Sequence, residues 1–208
     1  MPAAPRLILA STSRYRRDLL DRLRLPFDVV APAVDEAPLA GEAPSQLAER
    51  LALAKAHAVA SSHEDALVIG SDQVAELDGR PIGKPHTHER AVKQLRSMSG
   101  RRVVFHTAVA VVRLDRGYSG CLSAAVSVTF RTLAADEIEH YLRTEQPYDC
   151  AGSAKSEGLG IALLSAIDSD DPTALIGLPL IRTCELLRRA GIDPLAPAAK
   201  AATVGPRR

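Results

Sequence analysis

Apolar and polar positions along the chain switch repeatedly between a period near two and a period near 3.6, which predicts strands alternating with helices. The apolar run from Arg6 to Ala10 reads as a strand, and Ser11, Thr12 and Ser13 follow as candidate helix caps. Leu19, Leu20 and Leu23 then recur at helical spacing, and Phe27 to Ala31 reads as a second strand. Pro44 suits the first position of a helix running to about Ser61, with Leu47, Leu51, Ala54 and Ala58 as its apolar stripe. Ala66 to Gly70 is an apolar run ending in Ser71-Asp72-Gln73, and Val74 to Leu77 leads into a tight turn at Asp78-Gly79.

Further along, a helix is predicted from about Thr87 to Met98. Val103–Leu114 and Leu122–Arg131 read as a hairpin, and Ala135–Glu145 as another helix. A Gly-rich loop, Gly152 to Gly160, precedes the apolar segment Ile161–Ile167, and Leu178–Ala190 reads as the last helix. This order predicts a mixed α/β fold, a curved sheet with flanking helices in two lobes. Residues 1–195 are expected to form one domain and 196–208, rich in Ala, Pro and basic residues, a flexible tail.

Composition narrows the function classes. With 26 Lys and Arg against 25 Asp and Glu, a net charge of +1 gives no reason to expect a nucleic-acid partner. Three widely spaced cysteines, Cys121, Cys150 and Cys184, suggest reduced thiols. No stretch approaches the ~20 apolar residues of a membrane span, so a cytoplasmic protein is expected. The histidines lack the spacing of a zinc helix motif, and no Gly-x-Ser-x-Gly elbow is present.

Several constellations carry chemistry. Ser11 to Arg17 places hydroxyls, a helix start and the basic Arg16 and Arg17 after a strand, which suits an anion, although Ser and Thr cap helices anyway. Asp35-Glu36 is either a metal-holding pair or an acidic loop. Lys55, four residues after Leu51, either snorkels along its helix or points across a cleft to a phosphate. Asp72 follows an apolar strand, where ligands of open α/β sheets gather; it is a metal ligand, a base or an ordinary turn former. Gly83-Lys84-Pro85 fails the Walker pattern, because Pro stands where Ser or Thr should bind magnesium. In the segment Ala151–Gly158, Lys155 and Glu157 face either a ligand or solvent.

Taken in order, these blocks resemble the Maf family of nucleoside triphosphate pyrophosphatases. The carriers are Leu7–Ser13 with Arg16-Arg17, Val34-Asp35-Glu36, Leu53-Ala54-Lys55-Ala56 and Gly70-Ser71-Asp72-Gln73. Gly83-Lys84-Pro85, Cys150-Ala151-Gly152-Ser153 and Gly177-Leu178-Pro179-Leu180 complete the set. The resemblance implies a deep cleft between two lobes, a divalent metal (magnesium or manganese), pyrophosphate release and a homodimer. It implies Asp72 as catalytic base or metal-linked carboxylate, Glu36 as its partner at the metal, and Ser11, Arg16, Lys55 and Lys84 around the phosphates. Gln73 and Glu157, where the dTTP/UTP-cleaving branch has Thr and Gln, resemble the branch that cleaves 7-methyl-GTP. There Tyr15 is expected to stack on the cationic base, Glu157 to accept from the guanine edge, and Lys155 to contact substrate. The alternatives are the dTTP/UTP branch and a nucleotide-binding regulator of cell division. One departure is Arg14, where the family usually has Pro.

Overall fold

The computed structural model describes residues 5–196; residues 197–208 of the expected tail lie outside the described residues. A mixed seven-stranded sheet runs in the order β2-β1-β3-β5-β6-β7, with β4 paired to β3 off that path. The strands are β1 (Leu7–Ala10), β2 (Asp28–Val30), β3 (Leu67–Leu77), β4 (Arg80–Ile82), β5 (Arg102–Arg113), β6 (Tyr118–Phe130) and β7 (Leu164–Asp168). The helices are α1 (Arg14–Leu20), α2 (Pro44–Ala60), α3 (His88–Met98), α4 (Ala135–Glu145) and α5 (Leu180–Arg189). No described helix is long and apolar enough to cross a membrane.

Local chemistry sets most of these boundaries. Ser13 caps α1 by accepting from the Arg16 N–H, and Thr87 caps α3 by accepting from Arg90 N–H at 3.3 Å. Asp78 and Gly79 both have positive φ, 53° and 75°, as the β3–β4 turn requires. The predicted first helix shortens: α1 stops at Leu20, a 3-10 turn covers Asp21–Leu23, and Arg24 ends it with φ 56°. The two runs around Asp72 are one strand, because β5 pairs with β3 without interruption from Val68 to Glu76. The hairpin strand β6 begins at Tyr118, four residues before the apolar run starts, because its register with β5 extends to Arg113.

Alternation along the strands sorts the core. On one face, Ile8, Ala10, Val68, Ala108, Ala110 and Val112 meet Leu47, Ala48, Leu51, Ala52 and Ala56 of α2. On the other, Leu7, Leu9, Leu67, Ile69, Val109 and Val111 meet α1 and α5. A third cluster, with Phe105, Val126, Phe130, Leu95, Ile138 and Leu142, fills the far end of the strands under α3 and α4. The buried stripe of α2 differs from the expected one. Ala54 and Ala58 are only half-buried, while Lys55 stands with Ala52, Ala56 and Val59 on the buried face.

The sheet has a gap that positions the site. Strand β1 pairs with β3 only up to Ala10↔Gly70, and β4 joins that same edge only from Ala75↔Ile82. Between them the β3 edge from Ser71 to Val74 has no neighbouring strand, while its other edge remains paired with β5.

Candidate functional site

A cleft of about 850 Å³ opens over this gap. That volume lies in the upper part of the range usual for small-molecule sites, about 300–1,000 Å³. Its walls come from the β1–α1 turn, α2, the gap of β3, the β4–α3 loop, the 149–157 loop and the 175–177 segment.

Asp72 and Lys55 meet on the α2 side. Asp72 shares its strand face with Val68 and Gly70, so it turns toward α2, and the Lys55 ammonium donates to its Oδ1 at 2.6 Å. The same ammonium lies 2.7 Å from Glu36 Oε1. Lys55 and Asp72 are 5% and 8% exposed, and a buried ammonium is tolerable only when paired in this way. Glu36 comes from an exposed loop. Burial pushes its carboxyl up, but the bond and charge of Lys55, then Lys84 and Arg16, hold it below its ordinary value. The close approach depends on Gly70: a Cβ there would lie 2.3 Å from Ala52 O and 2.6 Å from Ala56 N of α2.

The opposite side is held by carbonyls. Ser71 and Gln73 alternate with Asp72 and so face away from α2. Ser71 Oγ donates to Ala108 O and Gly177 O at 2.7 and 3.1 Å. Gln73 Nε2 donates to Thr107 Oγ1, Ala174 O and Leu175 O at 2.9–3.0 Å, and Gln73 lines the cleft. Arg16 Nε donates to Gly177 O at 2.9 Å, which fixes the guanidinium while its two terminal nitrogens carry no recorded bond. Burial lowers the Arg16 pKa, opposed by the charges of Asp72 and Glu36. Asp171, fully buried, secures this segment by accepting from Thr173, Ile181 and Arg182.

The remaining expected residues divide. Ser11 lines the cleft, with its Oγ accepting from Ser13 N–H at 3.1 Å. Lys84 and Glu157 are exposed and line it too. Tyr15 lines it beside Cys150, whose sulfur is 3.8 Å from the phenol oxygen. Burial pushes the Cys150 thiol up to about 12, with Asp149 adding to the shift, so it stays protonated. Lys155, expected to contact substrate, is not in the cleft lining; its ammonium is bonded to Glu145 at the end of α4. Sequence reasoning passed over Asp149 and His86, which also line the cleft. Asp149 offers no signal beyond preceding the Cys150–Ser153 block, and His86 is marked only by its φ of 61° in the structure.

Among the described residues no three His, Cys, Asp or Glu side chains converge as a metal set. Glu36 and Asp72 nevertheless present two hard oxygen donors to one point, where the Lys55 ammonium now sits. A magnesium-type ion ordinarily takes one or two carboxylates and completes its shell with water and substrate phosphate. The donor set therefore fits a divalent ion held jointly with a phosphorylated ligand.

Residues 6–190 match the family described as Maf-like protein. The 7-methyl-GTP pyrophosphatase of Polaromonas sp. is 68% identical over 92% of this chain and 87% of that protein. The protein of the same name from Albidiferax ferrireducens is 62% identical over 93% of this chain and 98% of its own. The solved structure of the Staphylococcus aureus Ham1 protein aligns with a TM-score of 0.46 at 18% identity, over 61% of this chain and 72% of that one.

Proposed function

The chain belongs to the Maf-like protein family, and on that premise we propose that it hydrolyses the α–β phosphate linkage of 7-methyl-GTP, giving the monophosphate and pyrophosphate. The observation that carries the reaction class is the Lys55 ammonium bridging Asp72 and Glu36 at the wall of a nucleotide-sized cleft. The 7-methyl-GTP preference is supported by relatives of that name at 62% and 68% identity.

In this reading Asp72 orients the attacking water and takes its proton. Arg16, anchored through Nε, directs its free nitrogens at phosphate oxygens, and Lys84, which lines the same cleft, adds a second positive charge. Glu36 and Asp72 would hold a divalent ion, magnesium or manganese, which when bound neutralises phosphate charge and acidifies water. Lys55 keeps the two carboxylates together and places its positive charge beside the phosphate end. Ser11 and its neighbouring backbone N–H groups line the phosphate end. At the base end Tyr15 stacks on the methylated, cationic ring, and Glu157 accepts from the guanine N1 and N2 edge. Gln73 offers its carbonyl oxygen, and Lys155 steadies the loop of Glu157. The proposed assembly is a homodimer working in the cytoplasm.

A panel of 7-methyl-GTP, GTP, dTTP, UTP and CTP, read by pyrophosphate release with magnesium or manganese, tests both halves of the proposal. The expected result is pyrophosphate with 7-methyl-GTP preferred, and a loss of about 10³-fold in kcat for Asp72→Asn with folding retained. A strong preference for dTTP or UTP overturns the base assignment, and full activity in Asp72→Asn overturns the catalytic one.

A further inference from the structure

The base end of the cleft already holds a flat cation. The Arg14 guanidinium carbon lies 4.8 Å from the centre of the Tyr15 ring, and Arg14 Nη2 donates to the Tyr15 oxygen at 2.9 Å. Asp149 and Glu157 line the same cleft as Arg14 and Tyr15, and both bring carboxylates to it. An aromatic face with carboxylates beside it is a site for a planar, delocalised cation. A guanidinium and an N7-methylated guanine share that description.

We propose that Arg14 is the internal occupant of the base subsite and that Asp149 is a specificity-determining carboxylate for the base that replaces it. The proposal rests on the reading of Tyr15 as the stacking residue. In the free protein Arg14 covers the ring, and a base reaches that face only by displacing it. Arg14 is exposed, so its departure loses one exposed cation–π contact and one hydrogen bond while the guanidinium regains water. The displacement cost is the same for every base. The difference between bases arises after displacement: a methylated base restores positive charge beside Asp149, whereas a neutral guanine leaves that carboxylate uncompensated.

Two residues therefore have separable signatures. Removing Arg14 should lower the KM for 7-methyl-GTP and for GTP alike, by about two- to five-fold, the equivalent of one exposed cation–π contact. The ratio between the two substrates should stay constant, and kcat should not fall. In a Tyr15→Leu background, where no ring remains to compete for, Arg14→Ala should change KM no further. Asp149→Asn should lower the preference for 7-methyl-GTP over GTP by about three-fold, the scale of one solvated charge at short range.

The experiment measures KM and kcat for both triphosphates in Arg14→Ala, Asp149→Asn, Tyr15→Leu and the Arg14→Ala/Tyr15→Leu double variant. Alongside it, calorimetric titration with 7-methyl-GMP and GMP reads the base subsite without turnover. An Arg14→Ala variant whose KM is unchanged or raised overturns the occupant role, a rise making Arg14 a phosphate contact. An unchanged preference in Asp149→Asn overturns the role of that carboxylate. Failure of both monophosphates to bind any variant overturns the subsite as a whole. If the monophosphates bind in the expected pattern but no triphosphate is cleaved, the subsite stands and the hydrolytic reading alone falls.

Discussion

Lys55 places a buried positive charge against two negative ones, and the balance of that trio depends on every member being present. Taking an ammonium out of water costs several kcal/mol, recovered here through two charge-assisted bonds. Lys55→Met keeps the length of the side chain but leaves Asp72 and Glu36 facing each other without a counter-charge. The expected outcome is a loss of about 3 kcal/mol in urea unfolding, with weaker substrate binding. Stability equal to the parent protein would show that the trio contributes little to folding. The sequence placed Lys55 close to an apolar stripe and left two directions open for its side chain. Only the packing of α2 against β3 chose between them, because the ammonium finds its carboxylates across the helix–strand contact.

At the scale of elements, the site depends on one close contact and one gap. Gly70 lets α2 settle onto β3; an added methyl group would overlap Ala52 O and Ala56 N, backbone atoms that cannot rotate away. Gly70→Ala should therefore destabilise the protein by about 2–3 kcal/mol and lower activity together, as α2 carries Lys55 away from Asp72. Urea unfolding and turnover of the same preparation check this; a variant that is destabilised yet fully active would uncouple the contact from the site. The gap arises because β1 ends at Ala10 while β3 continues past it. The 174–177 segment then crosses the other face, bound by Ser71, Gln73 and Thr107 through its carbonyls. The two apolar runs flanking Asp72 were legible in the sequence, but their fusion into one strand was not. Ser71-Asp72-Gln73 has the local character of a turn, and pairing with β5 overrides it.

For the molecule as a whole, the loop bearing Glu36 is tied to α2 by a clamp that grips it one residue past Glu36. Arg50 donates to both oxygens of Glu42, at 2.6 and 2.9 Å, and to Ala37 O at 3.0 Å. The Arg50 bond, with Leu39 N–H, lowers the Glu42 carboxyl from 4.5 to about 2. A depressed carboxyl stabilises the fold above its unfolded value and loses that contribution as pH falls through the folded one. The stability difference between the parent protein and Glu42→Gln should therefore be constant above about pH 5 and close as the medium is acidified toward about pH 2. Denaturant midpoints measured across that range check the sign; a gap that widened on acidification would place the stabilisation elsewhere.

The order of strands and helices, the hairpin, the turn at Asp78-Gly79 and the ordered set of blocks were fixed by periodicity and turn chemistry, which are local in the chain. Asp72, Lys55 and Glu36 were legible as candidates because charged residues beside apolar runs stand out. Their meeting was not legible, nor was the bond of Lys155 to Glu145, nor the place of Asp149 in the same cleft as Arg14. Those contacts join residues far apart in sequence, and no local pattern encodes them. The open edge of β3 likewise depends on where two other strands begin and end against it. The sequence determined which chemistry is available, and the tertiary structure decided which groups share a cleft, because proximity across a sheet is set by pairing and packing of the whole chain.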